Sequence, residues 1–528
     1  MRHTRGGQSK RALIIGAGSH GFMAYRIITD DPRSEFVAVG FLDDDRSKRY
    51  LRIRGARVLG SIDDLPRVLH EKPVDIVVIA IRGLDPEVLD GIVEATAQGG
   101  ADVRVLPELD VHDLRERGAS AGSAVATRPA SFRPIEIKDL IGRSPISTDV
   151  NAIGGYLDGK TVLVTGAGGS IGSHLCKQLA RFSPGRVVMT DRDESGLHTT
   201  QLVLEGSAML TSDDLVLGDL RDSGFVRSLV GEVKPDIIFH AAALKHLTFL
   251  ERFPDEAIMT NLGASLSLLD AAVDAGVPQF VHISTDKAAD PTSVLGASKY
   301  LTERAIASVA QSSGLAYMSV RFGNVLGSRG SVLGTFVAQA QAGGPLTVTS
   351  PDAKRYFMSA DEACELVLQA GAIGRPGETL VLDMGEPVRI DDLARRVIAL
   401  SGRDDVEIQY TGLRDGEKLE ESRLSSIEAD ERPHHPLISQ VPVPPVDLAR
   451  VRELVVRARI SGHRRNGELA TALRAAVKDI GGSASGSQSA PSQNGYHTQR
   501  TASEASPSTA PVNISAILAN PDQTERLA

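Results

Sequence analysis

An α/β fold built from two doubly wound parallel sheets is predicted by three observations. Two regions open with the same succession of apolar run, glycine-rich turn and helical stretch: RALIIGAGSHG from Arg11 and KTVLVTGAGGSIGSHLCKQL from Lys160. Behind each, short Val- and Ile-rich runs alternate with helical pattern, the grammar of βαβ units. The length, 528 residues, exceeds what one core supports, so two domains and a tail are expected.

The first domain is assigned to residues 1–109, with FVAVGFLDDD, VDIVVIAI and ADVRVLPEL as the strands after the opening one. Residues 110–158 read as a connector: SAGSAVATRPASFRP lacks apolar period, and IEIKDLIGRSPIS reads as a short docking segment. The second, larger domain covers 159–480, with strands in RVVMTD, LVLGDL, DIIFHAAA, QFVHIST and YMSVRFGNV. From about Gly343 the alternation loosens, as expected of a small subdomain that caps the carboxyl ends of the strands and forms the substrate side of a cleft. VDLARVRELVVRAR and GELATALRAAVKDI read as amphipathic helices. The Ser-, Gly-, Pro- and Gln-rich residues 481–528 cannot bury a core, and are expected to be disordered.

Composition narrows the partners. Hydrophobic residues are 41% and charged residues 24%, ordinary for a globular chain. A net charge of −9 without a basic block argues against a nucleic-acid surface. Cys176 and Cys364 lie far apart and match no metal spacing, so no metal is expected, and two free thiols suit a reducing cytoplasm. The basic start MRHTRGGQSK leads into a strand-like run rather than a signal peptide. No run approaches about 18 apolar residues, so no transmembrane segment is expected and a cytoplasmic location follows.

The glycine turns carry the first chemistry. In the second domain Gly166, Gly169 and Gly172, with Ser170 and Ile171 between the last two, follow a strand and open a helix. Such a turn lets backbone N–H groups approach a pyrophosphate, the Rossmann-like arrangement for a dinucleotide. Asp191 at the end of the next strand can bind ribose hydroxyls, favouring NAD; Arg192 beside it could meet a 2′-phosphate, leaving NADP open. Asp219 and Leu220 in LGDL would fall beside the adenine, and Ala241, Ala242 and Ala243 would let the cofactor cross the strand ends. The alternative is a turn that only packs. The first domain repeats the pattern with Gly16, Gly18, Gly21 and Asp43, but no catalytic arrangement follows it. A nucleotide site and a purely structural role stay equally open there.

The stretch STDKAADPTSVLGASK, Ser284 to Lys299, places Ser/Thr at a strand end and a lysine on the following helix. Four residues before that lysine, one turn back on the same face, stands Leu295, which has no proton to give or take.

Together with GDLRD, HAAALKHLTFLE, RFGNVLGSRGSV, GGPLTVTSPDAKRYFMS and GLRDGEKL, these runs resemble the CapD-like nucleotide-sugar 4,6-dehydratases, extended short-chain dehydrogenases whose usual substrate is UDP-N-acetylglucosamine. The resemblance covers almost all of residues 110–425 in order, and the N-terminal region looks like the nucleotide-binding-fold domain of the long members. There are three departures. The membrane helices that usually begin long members are lacking, which implies a soluble form. His174 replaces the glutamate of SIGSEL, and Leu295 stands where long members commonly carry methionine.

The resemblance implies an active enzyme whose acid–base work rests on Thr285, Asp286 and Lys287 rather than on a tyrosine. Oxidation at sugar C4 acidifies C5–H; a base removes that proton, an acid sends the C6 hydroxyl off as water, and hydride returns to C6. NAD or NADP, tightly bound, is recycled, and the product feeds surface polysaccharide or glycan synthesis. Lys287 is the expected base, with a pKa falling toward neutrality, and Asp286 the acid, with a pKa raised by burial. A turn must bring both toward the sugar, and Thr285 would meet the C4 oxygen. The plain alternative is a Thr-Asp pair that caps a helix. Lys299 would bind the nicotinamide ribose; otherwise it is a surface lysine. Asn324, Arg329 and Arg414 would hold the UDP pyrophosphate, though either arginine could be an exposed ion-pair partner. Arg355 and Tyr356 either line the cleft or pack, and Lys245 and His246 stay outside the catalytic set.

Three rivals remain: a UDP-hexose 4-epimerase, which needs the tyrosine; a dehydratase that also inverts C5; and a non-catalytic NAD-bound sensor. A homo-oligomer is expected.

Overall fold

The computed structural model describes residues 9–30, 34–81, 83–106, 132–134, 148–401, 403, 405–461 and 467–482. The expected docking segment 135–147, most of the connector before it and the tail 483–528 lie outside them. The chain divides into two compact units, one built mainly on residues 1–146, the other on 147–395 and 403–528.

In the first unit, strands β1 (Lys10–Ile15), β2 (Phe36–Leu42), β3 (Arg52–Ile53), β4 (Ala56–Gly60), β5 (Ile76–Ile79), β6 (Asp102–Val105) and β7 (Arg133–Pro134) form one sheet in the order β3-β4-β2-β1-β5-β6-β7. Its inner pairs are parallel, and β3 and β7 join antiparallel at the edges. Along β1, Ala12 and Ile14 enter one apolar cluster while Leu13 and Ile15 enter another. Side chains alternate across a strand, so both faces are covered, which is why the run reads as continuously apolar.

The second unit carries β8 (Thr161–Thr165), β9 (Arg186–Asp191), β10 (Leu215–Leu217), β11 (Ile237–His240), β12 (Gln279–Thr285) and β13 (Ala316–Phe322). Three short pairs follow from β14 (Asn324–Val325), β15 (Leu346–Val348), β16 (Lys354–Arg355), β17 (Phe357–Met358), β19 (Val388–Arg389) and β20 (Ile408–Tyr410). With β18 (Glu378–Leu382) and β21 (Ile438–Pro442) the main sheet runs β10-β9-β8-β11-β12-β13-β18-β21, parallel except for β21. The order reverses between β8 and β11, so a crevice opens at the carboxyl ends of these two strands.

Residues 150–157, within the stretch expected as connector, form a helix of the second unit. Asp149 caps it by accepting from the Asn151 and Ala152 amides, and Ile153 and Leu157 are buried one turn apart. The helix after β12, Val294–Ser313, is capped by Ser293, whose Oγ accepts from Gly296 N at 3.0 Å, and stopped by Gly314 at φ +72°. It is buried along most of its length, so Lys299 is carried into the interior. Among the described residues no helix is long and apolar enough to cross a membrane.

Candidate active site

The glycine turn after β8 has the geometry of a cradle. Gly166 sits at φ +70°, where a Cβ would lie 2.5 Å from Ala242 N, and a Cβ on Gly172 would collide with the Gly166 carbonyl. Asp191, at the end of β9, accepts from Gly168 N at 2.9 Å and Asp193 N at 3.0 Å, pinning the turn to the neighbouring strand. A cavity of about 710 Å³ runs from here along the strand ends. Its walls include Gly166, Gly169, Ser170, Ile171, Gly172, Asp191, Arg192, Asp219, Leu220 and Ala241 to Ala243, the whole set expected around a dinucleotide. The residues present therefore fit such a group: close backbone approach at the glycines, a carboxylate at the β9 end and small side chains across β11. Asp219 is engaged by Arg221, with Nη2 at 2.6 Å, and Arg192 lies 3.7 Å from it. Burial pushes the Asp219 carboxyl up, but Arg221 outweighs it and holds it below the usual carboxylate range.

At the far end of the cavity the strand β12 ends and the chain turns tightly over Asp286–Ala288. Thr285 Oγ1 accepts from the Lys287 amide at 3.4 Å and donates to Asp286 Oδ1 at 2.9 Å. The turn brings Asp286 and Lys287 together, with Lys287 Nζ 2.9 Å from Asp286 Oδ1. Thr285, Lys287, Leu295, Lys299 and Asn324 line the cavity; Asp286 is fully buried behind them, and its Oδ2 has no hydrogen-bond partner among the described residues.

The charge on Lys287 differs from expectation. Burial lowers its pKa, but the Asp286 and Glu421 carboxylates overcome burial and the net shift is upward, so the resting side chain is an ammonium. The two acidic neighbours outweigh burial and the one cationic neighbour, Arg355, which is why the predicted fall toward neutrality does not occur. Between Lys287 and Lys299 the depressed lysine is Lys299, lowered by burial to about 7. It donates to the Ile283 carbonyl at 2.8 Å and lies 3.1 Å from His282 Nε2. His282 is kept neutral first by burial and then by the Lys299 charge.

The residues expected at a pyrophosphate separate. Asn324 joins the Asp286–Lys287 pair, with Oδ1 3.4 Å from Lys287 Nζ. Arg329 lies on the glycine turn: Nη1 meets Asp193 at 3.0 Å, its amide donates to Ser170 Oγ at 3.1 Å, and Nη2 donates to the Gly168 carbonyl. Arg414 is exposed and outside the cavity wall. Lys245 and His246, set aside in the sequence, do line the cavity; the Lys245 pKa is lowered by burial and then by Arg329. Arg355 is buried and bound to Glu417 at 2.7 Å.

Residues 162–442, more than half of the chain, match the family described as polysaccharide biosynthesis protein. The chain belongs to that family. Its first unit, in residues 1–107, matches the CoA-binding domain family. Among curated relatives of this polysaccharide biosynthesis chain is the probable polysaccharide biosynthesis protein EpsC of Bacillus subtilis, 38% identical over 423 residues, covering 80% of this chain and 69% of the relative. The capsular polysaccharide biosynthesis protein CapD of Staphylococcus aureus is 36% identical over 434 residues, with the same coverage of 80% and 69%. A UDP-glucose 4-epimerase of Rickettsia prowazekii is 34% identical over 277 residues, covering 51% of this chain and 78% of that enzyme. The CapD-like resemblance read from the motifs is thus borne out at the level of the family.

Sequence reasoning missed Glu421, 2% exposed at its side chain and 3.8 Å from Lys287 Nζ, and the Glu303–Arg321–Glu428 cluster behind β12. A charged residue inside the apolar run YMSVRF was a signal for the second; Glu421, in LEES, gave none.

Proposed function

We propose that the protein is a nucleotide-sugar 4,6-dehydratase acting on UDP-N-acetylglucosamine. The observation that carries this is Lys287 at the cavity wall, paired at 2.9 Å with Asp286 buried directly behind it, beside Leu295 in the place of a tyrosine. The names of the EpsC and CapD relatives point to the same use of the product, in surface polysaccharide. A nicotinamide dinucleotide held by the glycine turn, Asp191 and Lys299 would take hydride from sugar C4 and return it to C6.

The chain's own residues then handle protons. The C4 hydroxyl proton reaches Asp286 through Thr285 Oγ1, which already donates to Oδ1 at 2.9 Å. A neutral Asp286 no longer pairs with Lys287, so burial now favours the amine and Lys287 releases its proton. That amine takes the C5 proton while the Asp286 acid protonates the departing C6 hydroxyl. As C6 receives hydride, the Lys287 ammonium returns its proton to C5, and the pair regains one proton from solvent.

The epimerase relative supports a second reading, a nucleotide-sugar 4-epimerase. It would need a base at C4 in the position Leu295 occupies. Incubation with UDP-N-acetylglucosamine and no added cofactor separates the two by mass spectrometry. The dehydratase gives loss of one water, abolished in Lys287→Ala; an epimerase gives an isomer of unchanged mass, and that result sinks the proposal.

A further inference from the structure

The segment Gly416–Glu421 reaches the catalytic turn, yet the residue singled out from its motif, Arg414, stays outside. Other members of the segment are tied to that turn and to its flank. Lys418 Nζ donates to the Ala289 carbonyl at 2.7 Å, one residue past the turn, and Thr292 Oγ1 donates to the Gly416 carbonyl at 2.9 Å. Glu417 takes the Arg355 guanidinium at 2.7 Å. Glu421 alone points a charge at the reacting groups. Its side chain is 2% exposed, its Oε1 lies 3.8 Å from Lys287 Nζ, and its Oε2 has no hydrogen-bond partner among the described residues, with Lys418 Nζ at 3.6 Å. A carboxylate is costly to bury without a cation, and both of its cations stand beyond hydrogen-bond distance, so its effect on Lys287 is that of a fixed charge.

We propose that Glu421 is a positioning residue for the reaction: its buried carboxylate holds the Lys287 ammonium between Asp286 and Asn324 and sets the pH at which the amine becomes available. This deepens the dehydratase reading and takes its meaning from it. The direction of the Lys287 shift agrees, since the Asp286 and Glu421 carboxylates raise it against burial and Arg355. When Asp286 carries the C4 proton, Glu421 is the acidic group still facing Nζ, so it opposes release of the Lys287 proton and favours the ammonium that re-forms when the amine takes the C5 proton. The charged groups facing Lys287 are Asp286 from its own turn, Arg355 from β16, and Glu421 from the segment after β20.

The test reads Lys287 directly, in the full chain with its cofactor. Acetylation of Lys287 by acetic anhydride, quantified by peptide mass spectrometry across pH, gives its titration without any substrate. Glu421→Gln is expected to lower that midpoint by at least about half a unit, and Glu421→Asp, which keeps the charge, to restore most of it. Lys418→Met, which removes the competing cation, is expected to raise it; this variant keeps the question answerable if Glu421→Gln does not fold. The acidic limb of kcat/KM for water loss should move to lower pH with the labelling midpoint in Glu421→Gln. An unmoved midpoint in folded Glu421→Gln overturns the proposal, as does an unmoved midpoint in Lys418→Met where Glu421→Gln is unfolded. If the labelling midpoint moves but no nucleotide sugar loses water, the dehydratase reading fails while the electrostatic role of Glu421 stands.

Discussion

Leu295 is 4% exposed and packs with Leu250, Ile258, Leu262 and Leu301 while one side of it borders the cavity. Its role is therefore volume, not proton transfer. Replacement by Met conserves volume and apolar character and is expected to cost less than about 1.5 kcal/mol, with turnover within a few-fold of the parent. Leu295→Ala leaves a void in the same cluster and is expected to cost roughly 2–5 kcal/mol. Urea unfolding and initial rates of water loss check both. A Leu295→Met variant that folds normally yet loses turnover would show that the leucine itself serves the chemistry. The two lysines make the complementary point: Lys287, among carboxylates, keeps its proton, while Lys299, facing a carbonyl and a neutral imidazole, is brought to about 7. Residue type alone predicted neither direction.

The elements read most clearly from the sequence are those whose cause is local. The turn after β8 is legible because each glycine answers a nearby backbone atom: Gly166 needs φ +70° and leaves room for Ala242 N, and Gly172 leaves room for the Gly166 carbonyl. Gly166→Ala is accordingly expected to destabilise the protein by at least about 1 kcal/mol, the left-handed penalty of an L-residue, with the clash added to it. It should also empty the site of dinucleotide. Nicotinamide dinucleotide released on denaturation, set against the parent, measures this; full retention in the variant would show that the turn does not carry the cofactor. The turn at Asp286–Ala288 was likewise inferable, since two adjacent side chains can meet each other only if the strand ends there, although only Lys287 reaches the cavity wall while Asp286 stays buried behind it. The helix at Val150–Leu157 was harder to see: its apolar residues complete one face only against Leu368 and its neighbours, to whose carbonyl Tyr156 donates at 2.9 Å. Arg329 and Arg414 were chosen for a chemistry that arginines share, but their places depend on loops whose paths no local pattern states.

At the scale of the whole molecule, what escaped the sequence is what joins distant parts of the second unit. Arg321 on β13 is 1% exposed; it meets Glu303 of the long helix at 2.7 Å and Glu428 of the segment after β20 at 2.7 Å. The partners lie 18 and 107 residues away in sequence, so no window could pair them. Glu303 also accepts from Ser284 Oγ at 2.5 Å, one residue before Thr285, which makes this cluster the support on which the end of β12 rests. Burial lowers the Arg321 pKa and the two carboxylates more than reverse it, so the cation is secure, and its loss leaves two buried acids with Arg304 as their remaining nearby cation. Arg321→Met is therefore expected to cost about 3–5 kcal/mol, against a smaller loss in the double variant Glu303→Gln/Arg321→Met, where one of the orphaned charges is gone. The same ordering should hold for water loss if the cluster acts by holding Ser284 and Thr285 in place: the double variant recovers part of the rate that the single one loses. Denaturant unfolding and initial rates on the three proteins decide it, and equal losses in the single and double variants would mean that the cluster is not what supports the strand end.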